Sequence, residues 1–126
     1  MTQTIYPCPC CGYLVHDQEP GSYQICPICR WEDDLVQLRW PHYSGGANRQ
    51  SLVDAQLCYR ENGASSPNSI SRARPPTESE SRDPGFRPVD PSLDNFEAEK
   101  AYEADWPADR TSLYWWRPSY WRLTNR

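Results

Sequence analysis

Cys8-Pro9-Cys10-Cys11-Gly12 and Cys26-Pro27-Ile28-Cys29 are the stretches whose reading decides the fold. Each holds a Cys-x-x-Cys pair with proline after the first cysteine, and residues 12–25 lie between the pairs. That is the spacing of a four-cysteine zinc site. Zinc takes four thiolates at tetrahedral corners, and two cysteines three positions apart on a tight turn offer both sulfurs to one ion. Proline presets the backbone of such a turn. Gly12, just past Cys11, suits the left-handed conformation that follows it. Between the pairs, Tyr13–Val15 and Tyr23–Ile25 read as two short strands, with Glu19-Pro20-Gly21 as the turn joining them. The expected fold is small α+β: a zinc-ribbon-like β-hairpin with two cysteine knuckles, followed by one or two short helices and irregular segments. Cys8, Cys11, Cys26 and Cys29 are the expected ligands of one structural Zn²⁺.

Other readings of the cysteines carry less weight. Residues 1–7 lack the charged start and apolar run of a secretory signal, so a cytoplasmic chain with reduced thiols is expected rather than a disulfide framework. No βαβ pattern surrounds either pair, which argues against a redox Cys-x-x-Cys. Iron binds the same ligand set, but nothing else in the chain points to electron transfer. Two readings stand for Cys10, inside the first knuckle: an alternative ligand, or a free thiol beside the metal. Cys58 reads as a small apolar core residue.

Composition bounds the rest. The chain has 126 residues, 37% hydrophobic, with 13 prolines. Such a core is small, and a metal staple is what a core of that size needs. No apolar run approaches the roughly 18 residues of a membrane span, so no membrane association is expected. The net charge of −4 argues against nucleic acid as the main partner.

The chain divides by composition into a cysteine-rich zinc-binding part at 1–63, a Pro/Ser-rich linker or wrap at 64–91, and a short helix with an aromatic tail at 92–126. Ser51-Leu52-Val53-Asp54 resembles a capping box, and Gly63 is a plausible C-cap, so a helix is expected over about 52–62, with Leu52, Ala55, Cys58 and Tyr59 on one face. Residues 64–91 hold six prolines and too little apolar surface to fold alone. Asp90-Pro91 then opens a short acidic helix, with Leu93, Phe96 and Lys100 on one face. Residues 106–126 carry Trp106, Trp115, Trp116 and Trp121 among Tyr114, Tyr120, Arg117, Arg122 and Arg126. Such a tail either folds back to complete the core or presents an interface, because Trp, Tyr and Arg anchor interfaces.

Trp31, directly after the second knuckle, is expected to cover the metal site and exclude water from the thiolates. Glu32, Asp33 and Asp34 could cap the segment Leu35–Leu38, bind a basic partner, or serve a hydrolase. His16 and His42 are lone histidines, redundant as ligands once four thiolates fill the shell. Gly45-Gly46-Ala47-Asn48 lacks the lysine and spacing of a phosphate loop, so it reads as a tight turn.

Taken in order, Tyr6-Pro7-Cys8-Pro9-Cys10-Cys11-Gly12-Tyr13, Pro20-Gly21-Ser22-Tyr23, Ile25-Cys26-Pro27-Ile28-Cys29, Trp31-Glu32-Asp33-Asp34, Gly45-Gly46-Ala47-Asn48 and Ser51-Leu52 resemble the bacterial cysteine-rich CPCC domain family. The resemblance spans about residues 5–63, with a looser pattern running on toward residue 90. It implies a metal-binding domain, with some members near toxin or conflict loci, and no established reaction. Two functional classes follow. The first is a non-catalytic zinc protein that recognises a protein partner, of the immunity or antitoxin type, its acidity suited to a basic toxin. The second is a small hydrolase using Asp33, Asp34 or His42 with metal in support, which a closed four-thiolate site disfavours. A nucleic-acid-binding zinc ribbon is the remaining alternative, set against the acidic charge.

Overall fold

The computed structural model describes residues 3–94, 96 and 105–122. It is a small α+β structure whose two-stranded antiparallel sheet pairs β1 (Tyr6–Pro7) with β2 (Leu14–His16). The register sets Tyr6 against His16 and Pro7 against Leu14, with an irregularity between them. The first cysteine turn is therefore the loop of this hairpin. Tyr23–Ile25 does not pair with Tyr13–Val15 as the sequence suggested. Instead, Ile25 bridges Glu32, the Tyr23 amide donates to the Asp33 carbonyl at 3.0 Å, and the Asp33 amide donates to the Gln24 carbonyl at 3.0 Å. The second cysteine turn thus closes a second hairpin-like loop. Each knuckle folds its own flanks together, because four residues of tight turn already reverse the chain.

Helix α1 (Leu35–Arg39) begins at Asp34, whose carboxylate accepts from the Val36 and Gln37 amides. Helix α2 (Leu52–Asn62) has Ser51 as N-cap, accepting from the Asp54 amide, and Gly63 as a left-handed C-cap donating to the Tyr59 carbonyl. Both ends and both caps are those read from the sequence. A Ser51 cap contributes about 1 kcal/mol. On the buried face Leu52 and Ala55 are fully enclosed. Cys58 is only half-buried, and its sulfur meets the Asn62 amide at 3.4 Å. The buried place on that face goes to Gln56 instead.

Residues 64–91 run across both knuckles. The Ser65 amide donates to the Cys29 carbonyl at 2.7 Å and the Arg74 amide to Ile28 at 3.0 Å; further on, the Asp83 amide donates to the Gly12 carbonyl at 2.8 Å. Arg82 Nε reaches the Cys11 carbonyl at 2.9 Å. A chain with little apolar surface of its own is held here by backbone groups that the cysteine turns leave unpaired.

The aromatic tail folds into the core. Leu113, Tyr114, Trp115 and Tyr120 are buried in one cluster with the cysteines, Ile28, Trp31 and Leu52. Trp115 Nε1 donates to the Arg87 carbonyl at 3.1 Å. Asp83 accepts from Trp116 Nε1 at 2.7 Å and from Arg117 Nε at 2.9 Å. The Arg39 guanidinium lies over the Trp40, Trp106 and Trp121 rings at 4.7, 4.4 and 4.9 Å, joining α1 to the tail. After Pro91 the chain makes one turn, with the Leu93 and Asp94 amides donating to the Asp90 carbonyl. The helix expected beyond it, through Lys100, lies mostly outside the described residues. Among the described residues, no helix is long and apolar enough to cross a membrane.

Candidate metal centre

The two turns present their cysteines to a common point. One ligand atom from each of Cys8, Cys11, Cys26 and Cys29 lies within 4.8 Å of all the others. The Cys8 and Cys29 sulfurs stand 3.6 Å apart, and those of Cys11 and Cys26 stand 3.7 Å apart. All four residues have no measurable exposure. Four soft donors converging in a closed, buried space are a set that could hold a metal ion.

The turns also supply the surroundings such donors need. Cys26 Sγ accepts from the Ile28 amide at 3.4 Å and the Cys29 amide at 3.5 Å. These N–H groups favour charge on sulfur. Hydrogen bonds from the Cys11, Cys29 and Cys8 thiols pull Cys26 far below the usual thiol range. Burial pushes Cys8 and Cys29 well above it. A cation bound here would take the place of protons on these sulfurs.

Cys10 is buried in the same core but falls outside the group of four. Burial raises its thiol too. Trp31 is fully buried beside the cluster, and its carbonyl accepts from the Cys26 amide at 2.9 Å.

The carboxylates read as an acidic run do not form a surface. Asp33 and Asp34 are buried. Asp33 Oδ2 accepts from the Gly21 and Ser22 amides at 3.2 and 3.3 Å and from Ser22 Oγ at 2.9 Å. Burial pushes the Asp33 carboxyl up, with the charge of His16 pulling it back in part. His16 is buried in the same polar neighbourhood rather than serving the cysteines. Asp34 Oδ1 caps α1, while its Oδ2 accepts from the Ala47 amide at 2.7 Å. A Cβ on Gly46 would stand 2.5 Å from that oxygen, so the Gly45–Asn48 segment is a turn wrapped around a carboxylate. His42 is exposed and packs edge-on against Phe96, with ring centroids 6.3 Å apart. Asp33, Asp34 and His42 thus do not converge on one reacting atom.

Sequence reasoning missed a set of buried amides. Gln37 Oε1 accepts from Asn48 N and Asn48 Nδ2, and Gln37 Nε2 lies 2.9 Å from the Gln50 carbonyl. Asn48 also binds both backbone groups of Glu32, taking the place of a paired strand. Gln56 Nε2 donates to the Pro9 carbonyl at 2.9 Å, and its Oε1 accepts from the Val89 amide. The one sequence signal was Gln56 itself, four positions after Leu52 on the buried face of α2.

No curated protein matches the chain. The family model for cysteine-rich CPCC proteins matches residues 6–80, taking in both cysteine turns, both helices and the first part of the wrap. That is more than half of the sequence, so the chain belongs to the cysteine-rich CPCC family.

Proposed function

We propose that this is a non-catalytic zinc protein, with one structural Zn²⁺ held by Cys8, Cys11, Cys26 and Cys29, that acts by recognising a protein partner. The observation that carries the metal reading is the convergence of four buried sulfurs. With zinc–sulfur distances of roughly 2.3 Å, the corners of a tetrahedron stand about 3.8 Å apart. Two of the sulfur separations, 3.6 and 3.7 Å, are close to that edge. Bound zinc would cross-link the two turns and supply folding energy. Four thiolates leave it no open position for water, which supports a structural rather than catalytic role.

Two features support recognition of a partner: that closed shell, and the net charge of −4, suited to a basic surface. An immunity- or antitoxin-type role against a basic toxin fits this charge. Of the two surfaces suggested by the sequence, Asp33 and Asp34 are buried and Leu113, Tyr114, Trp115 and Tyr120 pack into the core, which leaves Glu32, Trp106, Trp116 and Trp121 accessible for the contact. Elemental analysis of the purified chain tests the metal. About one zinc per chain is expected, and iron or no metal would overturn the assignment. Tagged protein recovered from its host, followed by mass spectrometry and direct binding with purified components, tests the partner. A stoichiometric basic protein is the expected result. A chain that stays alone, or a hydrolytic turnover lost in Asp33→Asn, would overturn it.

A further inference from the structure

We infer that the cavity between helix α2 and residues 82–88 binds a small aromatic carboxylate. This cavity has a volume of about 500 Å³, and Cys10, Tyr59, Arg60, Arg82, Phe86 and Pro88 contribute to its wall. That volume is within the range of small-molecule sites, which pair apolar walls with a few placed polar groups. Here the apolar part is Tyr59, Phe86 and Pro88. The charged part is cationic, the Gln56 amide on the same wall is already engaged by the Pro9 carbonyl and the Val89 amide, and no Asp or Glu lines the space.

The two arginines are placed differently from their neighbours. Among the described ion pairs, Arg74 meets Glu80, Arg87 meets Asp94 and Arg117 meets Asp83. Arg60 and Arg82 take part in none of them. Arg82 is also held in position. Its Nε donates to the Cys11 carbonyl at 2.9 Å, and its guanidinium lies 5.0 Å from the Tyr13 ring centre and 5.5 Å from that of Phe86. A guanidinium fixed by its inner nitrogen and by two rings keeps its terminal nitrogens for a ligand. Its planar fork matches a carboxylate through two parallel hydrogen bonds. Arg60 stands on exposed helix surface across the same space and adds a second positive charge. An anion is thus recognised by the arginines, and its ring by Tyr59 and Phe86.

Naphthalene-2-carboxylate, titrated into the full chain as isolated, tests the site by amide shifts in ¹⁵N NMR spectra. Saturable binding with shifts at Gly63, Arg82 and Phe86 is expected. Arg60→Gln should weaken binding about tenfold or more, as loss of a charged hydrogen-bond partner does. This residue is exposed, and unchanged metal content will show the variant folded. Arg82→Lys keeps the charge without the fork and should weaken binding as well. Neutral naphthalene-2-carboxamide should bind at least tenfold less tightly, and inorganic phosphate should leave these amides unmoved. No saturable binding, equal binding of the carboxamide, or equal binding to both variants would overturn the proposal. Phosphate acting as strongly as the aromatic acid would overturn the role of the ring.

Discussion

In the first cysteine turn, the Gly12 amide donates to the Cys8 carbonyl at 2.7 Å and the Cys8 amide to the Tyr13 carbonyl at 2.9 Å. In the second, the Arg30 amide donates to the Cys26 carbonyl at 2.9 Å and the Cys26 amide to the Trp31 carbonyl at 2.9 Å. The residue after each second cysteine is left-handed, with φ of +84° at Gly12 and +74° at Arg30. Backbone geometry is nearly duplicated, yet one turn uses glycine and the other arginine. The difference lies in what presses on them. A Cβ on Gly12 would run into the Phe86 ring, which itself packs on Trp115 and Trp116. Arg30 is only half-buried. Glycine is required at the first turn by the packing of Phe86, and not by the turn alone.

The comparison can be broken most severely at the sulfurs. Structural zinc in small domains contributes on the order of 10 kcal/mol. If the proposed zinc site stands, Cys8→Ser and Cys26→Ser should each lose bound metal and unfold the region of residues 5–40, seen as lost metal content and collapsed amide dispersion. Cys10→Ser, one position from a ligand, should keep both. Metal retained in Cys26→Ser would show that the two turns are not equal partners.

Removing the pressure on the first turn comes next. Trp115 is buried at 3% exposure among Phe86, Phe96 and Trp116. Trp115→Ala should cost about 3–5 kcal/mol in denaturant unfolding. A change below about 1 kcal/mol would return the tail to the role of an interface.

The turns should then separate at their left-handed residues. Gly12→Ala combines a strained φ with the Phe86 collision and should destabilise by about 2 kcal/mol or more. Arg30→Gly trades relief of strain against backbone entropy and should stay within about 1 kcal/mol of the parent. Equal costs would mean that packing does not distinguish the turns.

The smallest effect concerns the hold on the second turn. Arg74, whose amide donates to Ile28, is clamped by Glu80, and this partner holds the Glu80 carboxyl down to about 2. A depressed carboxylate contributes stability that is complete above the unfolded value of 4.5 and is lost as pH falls toward 2. With 39% of the Arg74 side chain exposed, solvent screens most of it. Glu80→Gln should flatten the acid limb of the stability profile slightly below pH 4.5, and leave stability well above that pH only marginally lower.

What the sequence made legible was local. Helix α2 announced both of its caps, because Ser51 and Gly63 act on groups within four residues of themselves. The clustering of Cys8, Cys11, Cys26 and Cys29 was legible because each pair sits within one turn. The strand pairing was not, since Tyr13–Val15 followed by a Pro-Gly turn and Tyr23–Ile25 has the pattern of one hairpin while the chain builds two. The cap that Asp34 places on α1 was legible because it acts on Val36 and Gln37 beside it, whereas the burial of Asp33 and Asp34 was not, because the amides that also satisfy them, at Gly21, Ser22 and Ala47, come from turns elsewhere in the chain. The aromatic tail was ambiguous for a physical reason. Trp, Tyr and Arg serve a core and an interface equally well, and only the position of Asp83 and Arg87 decides between them.

Part of the core that surrounds the cysteine cluster arrives late. Cys29 completes the set of four, but Tyr114, Trp115 and Tyr120, which share its core, follow some ninety positions later. At about 5–20 residues per second of synthesis, that interval is roughly 5–20 s. During it the nascent chain carries a finished set of donors without that part of the core. At the proposed metal site an ion would have time to enter from solution before Tyr114, Trp115 and Tyr120 pack into the same core, and the order of the residues along the chain would become an order of events.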